Sequence, residues 1–415
     1  MEKIRKYFLQ ALKAALKNEQ VPWEEELESG EWEALFHLAD MHHVLPMVYE
    51  AVYACPAAAK AGALFQPFKQ RALRTVTVQA INTGDFLRLF PALRRAGVTP
   101  LVVKGIICRE LYPKPDCRVS SDEDLLIPPE QFPLCHEAML RFGMALTEPE
   151  QDTAAAYEVS YDKKGSLLHI ELHKSLFPPE SEAYGELNRF FEGVLDRAVQ
   201  QQIQGTDVLT MGYTDHLFYL LCHAFKHFLH SGFGIRQVCD ICLFANAHGG
   251  EIGWQQVLEN CRQIRADKFA AALFQIGEKY LTFDPEAACY PPAWREAEVD
   301  EGPMLQELLD SGIYGAGTMS RKHSSNITLN AVTADRQGRK AGSGLMGAVF
   351  PSAEKLSGRY PYLKEKPYLL PAAWIHRIVK YGQETASSSG DNNAADSLRI
   401  GNERVELLRQ YGIIK

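Results

Sequence analysis

The stretch LVVKGIICRELYPKPDCRVSSDEDLLIPPE, residues 101–130, decides how the rest of the chain is read. It begins with a short apolar, β-branched run that ends in Lys104 and Gly105, the pattern of a buried strand feeding a helix start. A short helix follows, closed by Pro113 and Pro115. Asp122, Glu123 and Asp124 then lead into Leu125, Leu126 and Ile127, a second strand. Pro128 and Pro129 open another helix, which stops at Gly143. Side chains alternate along a strand, so Asp122 and Asp124 share one side and Glu123, Leu125 and Ile127 share the other.

Downstream, AAAYEVSYDKKGSLLHIELHKSL (154–176) gives two strands around a DKKG turn. In its second strand His169, Glu171 and His173 share a side. If this strand neighbours the acidic one, Asp122, Asp124 and Glu171 converge on a single wet face. Three carboxylates held together repel one another unless a cation neutralises them. Hard oxygen donors suit Mg²⁺ or Mn²⁺, and a third carboxylate can orient or deprotonate an attacking hydroxyl. Upstream, Gly105 at a helix start lets backbone approach a phosphate. Lys104 adds a point charge, and Arg118 offers a bidentate phosphate contact.

The expected architecture is α+β: a mixed-sheet core with helices, flanked by mainly helical N- and C-terminal regions. Residues 1–95 read as helices, the first with Ile4, Phe8, Leu12 and Leu16 on one face. Residues 96–205 form the α/β core, and 206–283 a helical domain forming a cleft wall. Within it, Thr214 is the expected N-cap, Gly232 and Gly234 split 213–248 into two helices, and one helix is expected over 253–282. Residues 284–415 are irregular and helical. SRKHSSN (320–326) reads as a mobile loop, TASSSGDNNAADS (385–397) as a flexible segment, and LRIGNERVELLRQYG as a final helix.

The chain has 415 residues, 46% apolar and 23% charged, with a net charge of −8. The pI near 5.9 argues against an extended nucleic-acid surface. No run is apolar enough to span a membrane, and the amphipathic N-terminus is not a signal peptide. Nine scattered cysteines fit reduced thiols in the cytoplasm, with Cys239 and Cys242 as buried thiols rather than zinc ligands. His223 and His227, four apart on a helix, lack the glutamate of a zinc-protease motif. They are expected as structural histidines or cleft contacts, and Arg236 and Asp240 as a helix salt bridge.

The order strand, Lys-Gly, helix, Arg, Asp-x-Asp strand, acidic strand resembles the uncharacterised nucleotidyltransferase family, within the polymerase-β-type nucleotidyltransferase superfamily. HIELHKSL (169–176) is similar to its acidic-x-His strand, and 217–244 to its helical His…His…Arg…Asp block. HHVLPMVYEAV (42–52) and AVFPSAEKLSGRYPYL (348–363) are similar to its flanks. The resemblance implies a metal-dependent transfer of a nucleoside monophosphate from an NTP to an acceptor, a small molecule or protein, with release of pyrophosphate. It places the metal and catalytic carboxylates at Asp122, Asp124 and Glu171. Nucleotide contacts fall to Lys104, Gly105, Arg118, Ser121, His173, His227 and Arg236. Two departures stand out. Ile106 follows Gly105 where a second small residue is usual, and Glu123 stands between the aspartates where an apolar residue is usual. The second predicts that the buried face is partly solvated at its edge. A catalytically degenerate binding or regulatory module remains the alternative, and a metallohydrolase using His169, Glu171 and His173 a third.

Overall fold

A computed structural model describes residues 2–312, 319–338, 353–356, 360, 362–376, 379 and 394–415. The chain divides into two compact units. The first comprises Met1–His223 with Gly234–Glu301, and the second Ala224–Phe233 with Gly302–Lys415. Residues 385–393 of the low-complexity segment lie outside the described residues.

The first unit opens with helices α1 (Glu2–Leu16), α2 (Ser29–Met41), α3 (Leu45–Val52), α4 (Pro56–Ala61) and α5 (Gln66–Arg95). The apolar stripe of α1 buries Phe8, Leu12 and Leu16 as its spacing predicts, while Ile4 is half-buried. Pro46 sits in the first turn of α3, where a missing N–H costs nothing. Strand β1 (Leu101–Val103), helix α6 (Gly105–Arg109), β2 (Glu123–Leu126) and α7 (Phe132–Arg141) follow. Then come β3 (Met144–Leu146), β4 (Glu158–Lys163), β5 (His169–His173), β6 (Val199–Ile203) and β7 (Thr206–Thr210).

The seven strands make one mixed sheet in the order β3-β4-β5-β2-β1-β7-β6. Pairs β2–β5 and β1–β7 are parallel, and the other four are antiparallel. One face is dry. Phe86, Leu89, Phe90 and Leu93 of α5 and Cys135 and Met139 of α7 pack on Val102, Leu125, Val159, Tyr161, Ile170 and Leu172. Strands β3, β6 and β7 were not legible from periodicity. The β6–β7 turn uses Gln204 and Gly205, both at positive φ, in place of the more usual Asn-Gly or Asp-Gly.

Helices α8 (Tyr213–His230) and α9 (Ile235–His248) are split where Gly232 and Gly234 predict. The helix over 213 begins at Tyr213, so Thr214 is not its N-cap; its hydroxyl accepts from Gly253 N at 2.8 Å. The single helix expected over 253–282 is two, α10 (Trp254–Gln263) and α11 (Asp267–Tyr280), and the short α12 (Pro292–Arg295) follows. The break falls at Arg265, whose φ of 58° no helix tolerates. Cys239 and Cys242 are buried free thiols.

In the second unit, α13 (Gly302–Ser311) and α14 (Met319–Arg336) lie with the C-terminal helix Ala394–Gln410. SRKHSSN is therefore not a loop but the start of α14. Arg321 turns inward to bind the buried Glu307 (2.7 Å), which also receives Arg404 Nε (2.9 Å). Gly401 lets the C-terminal helix approach Ile327 of α14 more closely than a Cβ would permit.

Glu123 ties the dry face to the start of α6. It is 3% exposed. Its Oε2 accepts from Ile106 N at 2.9 Å, and its Oε1 pairs with Arg109. Arg109 is fully buried and also donates to Thr83 Oγ1 (3.0 Å) and Ser120 Oγ (2.8 Å). The expected solvated edge is thus absent: the acid is neutralised in place rather than hydrated. Glu123→Ala strands the Arg109 charge and should destabilise the first unit by roughly 3–5 kcal/mol. Asp162→Ala, which breaks the outer pair with His169, should cost no more than about 1 kcal/mol. Denaturant midpoints read by hydrogen exchange at β2 compare the two, and equal losses would contradict this account.

Candidate functional site

The parallel pairing of β2 with β5 sets Asp124 directly opposite Glu171. The antiparallel pairing of β4 with β5 sets Glu158 opposite His173. Alternation brings all four side chains to the sheet face away from the apolar core. Asp124, Glu171 and His173 each offer one ligand atom, and these atoms lie within 4.8 Å of one another. His173 Nε2 is 3.1 Å from Asp124 Oδ1 and 3.5 Å from Glu171 Oε2, while its Nδ1 is 3.6 Å from Glu158 Oε2.

Lys104 completes the cluster from the end of β1. Its Nζ is 3.0 Å from Asp124 Oδ2, 4.0 Å from Asp122 Oδ2, and donates to His223 Nε2 at 3.1 Å. The Asp124 contact is ionic only: Oδ2 is buried and makes no hydrogen bond. The lysine backbone stands at φ 41°, ψ −121°, a conformation a side-chain-bearing residue seldom adopts. His216 holds it there. Burial pushes the pKa of this histidine down to about 3, and nearby His248 works the same way. The neutral ring accepts from Lys104 N through Nε2 (3.3 Å), leaving Nδ1 to donate to Thr210 Oγ1 (3.4 Å). The Thr210 hydroxyl passes on to Val102 O at 2.8 Å.

Burial alone would lower His173. Its hydrogen bonds to Asp124 and Glu171 and the charges of Asp124 and Glu158 outweigh burial and hold it at about 9. Burial likewise works against a charged Glu171. The His173 hydrogen bond and the Lys104 charge overcome both burial and the repulsion of Asp122, and its pKa is lowered.

The other expected residues are distributed as follows. Asp122 stands just before β2 and joins the cluster through Lys104. Ser121 is exposed. Arg118 is turned into the fold. It is 3% exposed and grips Asp240 with Nε (3.1 Å) and Nη2 (2.5 Å), while Tyr112 donates to the same carboxylate at 2.7 Å. Asp240 therefore pairs with Arg118, whereas Arg236 donates to Val119 O instead of closing the expected helix pair. Gly105 is also accounted for within the chain: a Cβ there would overlap the Glu123 carboxylate. His227 belongs to the second unit. His169 bonds Asp162 at 2.8 Å and is not among the three clustered ligands. Arg109, Glu158 and His216 were missed. Only the pleat could have found Glu158, which lies on the same strand side as Ser160 and Asp162.

Residues 28–282, well over half of the chain, match the family described as uncharacterised nucleotidyltransferase, and the chain belongs to that family. Segment 348–363 lies beyond the match, and most of it lies outside the described residues. No curated protein and no solved structure matches the chain.

His173 makes stability depend on pH. Its folded pKa of about 9 exceeds the ordinary 6.5. Between those values the folded chain keeps a proton that the unfolded chain releases. The contribution is complete below pH 6.5 and lost as pH rises to 9, by ~3 kcal/mol at most. Thermal midpoints in chelator should fall over that range in the native chain and fall less in His173→Gln. Parallel curves would refute the assignment.

Proposed function

We propose that the chain transfers a nucleoside monophosphate from an NTP to an acceptor, with release of pyrophosphate, in a reaction that depends on Mg²⁺ or Mn²⁺. The observation that carries this reading is the parallel β2–β5 register, which sets Asp124 against Glu171 on a polar face beside Lys104. The donor set fits a divalent cation. Two strand carboxylates converge with His173, and one ligand atom from each of the three lies within 4.8 Å of the others. Asp122, Asp124 and Glu171 would hold the ion. When bound it would offset charge on the phosphate oxygens and the leaving pyrophosphate.

The chain's own residues do the rest. Lys104 Nζ, held by the strained backbone at 104, would leave Asp124 for a phosphate oxygen. The acceptor oxygen attacks the α-phosphorus, the bond to the β-phosphate oxygen breaks, and Glu171 takes the acceptor's proton. Glu171 suits this role better than Asp124, since its side chain is 25% exposed against 2%. Before the ion binds, protonated His173 keeps both carboxylates in place.

One observation favours the alternative of a nucleotide-binding or regulatory module without turnover. The Ile106 amide, at the helix start where a phosphate would sit, is taken by Glu123. Labelled NTPs, offered with Mg²⁺ or Mn²⁺ and a cell extract as acceptor source, distinguish the two. Asp124→Asn should lower product formation at least ~100-fold, with its fold checked by circular dichroism. Asp207→Asn, at the start of β7 beside Arg94, should stay within about two-fold. Equal product from Asp124→Asn and the native chain would overturn the catalytic reading. Cation-dependent nucleotide binding without product would establish the module.

A further inference from the structure

His173 sits where an ordinary core histidine would not. It is buried, flanked by Asp124 and Glu171 at one ring nitrogen, and by Glu158 at the other. We infer that the cation site is a mixed oxygen–nitrogen centre, in which His173 releases its Nε2 proton to solvent as the ion binds and joins the carboxylates as a ligand while Glu158 orients the ring, and that it prefers Mn²⁺ to Mg²⁺. This rests on the metal-dependent reading above and extends it to the choice of ion.

The spacing comes first. Ligands on adjacent corners of an octahedral ion, each about 2.1 Å from it, lie ~3 Å apart. His173 Nε2 is 3.1 Å from Asp124 Oδ1 and 3.5 Å from Glu171 Oε2. The ring nitrogen therefore already stands near that separation from one oxygen of each carboxylate, and the three ligand atoms lie within 4.8 Å of one another. They are fixed on two adjacent strands in register rather than on loops.

An unsatisfied atom comes second. His173 is 4% exposed, and its Nδ1 has no hydrogen bond. Buried polar atoms are rarely left this way, and a structural histidine would be expected to bond through both nitrogens. Nδ1 instead faces Glu158 Oε2 at 3.6 Å. A small movement of that carboxylate, whose side chain is 23% exposed, makes the bond. A carboxylate behind a metal-bound imidazole fixes the ring and strengthens its nitrogen as a donor. Glu158 is thus a positioning residue.

Donor chemistry decides the ion. Mg²⁺ takes oxygen ligands and holds its waters, whereas an imidazole nitrogen favours first-row transition ions. His169 does not substitute, because Asp162 holds its ring.

The test uses the full chain, stripped with chelator and titrated with MnCl₂ or MgCl₂ by calorimetry. Mn²⁺ should bind more than roughly ten-fold tighter. Electron spin echo modulation of bound Mn²⁺ should show a directly coordinated ¹⁴N that vanishes in His173→Gln, along with the preference. Glu158→Gln, at a partly exposed position, should weaken Mn²⁺ roughly ten-fold or more while altering Mg²⁺ little. It keeps the question open to test if His173→Gln fails to fold. Mn²⁺ bound without a ¹⁴N coupling, or equal affinity for both ions, overturns this inference and leaves the proposed function standing. No binding of either ion, with or without nucleotide, overturns both.

Discussion

The Glu123 carboxylate, buried between Arg109 and the first turn of α6, is the contact on which the site geometry depends. It receives the Ile106 amide and the Arg109 guanidinium, and it occupies the space that a Cβ at residue 105 would need. These contacts fix β2 against α6 with Glu123 turned to the dry face. Because strand side chains alternate, fixing Glu123 there fixes Asp124 on the opposite face. The middle residue of the acidic triplet thereby orients the last one. The same contact explains the backbone before it. The chain must leave β1, turn through Lys104 at positive φ and start a helix whose N-terminus is already filled.

A buried pair of charges is a poor source of net stability, because desolvation offsets most of the attraction. Its value here lies in specifying one arrangement. The first unit uses the device at Arg109–Glu123 below the sheet and at Arg118–Asp240 between the connecting loop and α9. Together they tie down the loop from α6 to β2. Tyr112 and Arg118 bind Asp240, and Ser120 receives Arg109 at its hydroxyl while its own N–H donates to Gln79. The loop carrying Asp122 is therefore fixed up to the residue before the exposed Ser121. Rigid support of this kind is what a preorganised site requires.

Periodicity made much of this legible and partner choice did not. The alternation in β2 and β5 separates Asp124 from Glu123 and puts Glu171 with His173, and the sheet keeps that division. The apolar stripe of α5 is equally plain, and its Phe86, Leu89, Phe90 and Leu93 are buried. A sequence shows which face a side chain takes, but not which charge meets it across a fold. Arg118 and Asp240 are 122 residues apart, and nothing local distinguishes an arginine that binds phosphate from one that binds aspartate. SRKHSSN failed as a loop for the same reason: its polarity is real, yet Arg321 is matched by Glu307 from another helix. Gly105 misled in a subtler way. Its missing Cβ does mark a close approach, but the approaching group is the chain's own carboxylate.

These pairings also bear on how a nucleotide would be held. Family resemblance offered three sources of phosphate binding: the helix start at Gly105, the Arg118 guanidinium and the Lys104 ammonium. The first two are committed to Glu123 and Asp240. Lys104 remains, already 3.0 Å from Asp124 and 3.1 Å from His223. Opposite it stand Asp122, Asp124, Glu158 and Glu171, with His173 as the other cation in contact with them. A triphosphate brought to this face adds negative charge to a cluster already rich in it, and one ammonium cannot offset both. Under the proposed function, nucleotide and divalent cation must therefore bind as a single event, each weak without the other. The altered phosphate loop and the intact acidic face are then two halves of one design. The backbone gives up its anion site to hold β2 in place, and the cation takes over the charge that the loop no longer carries.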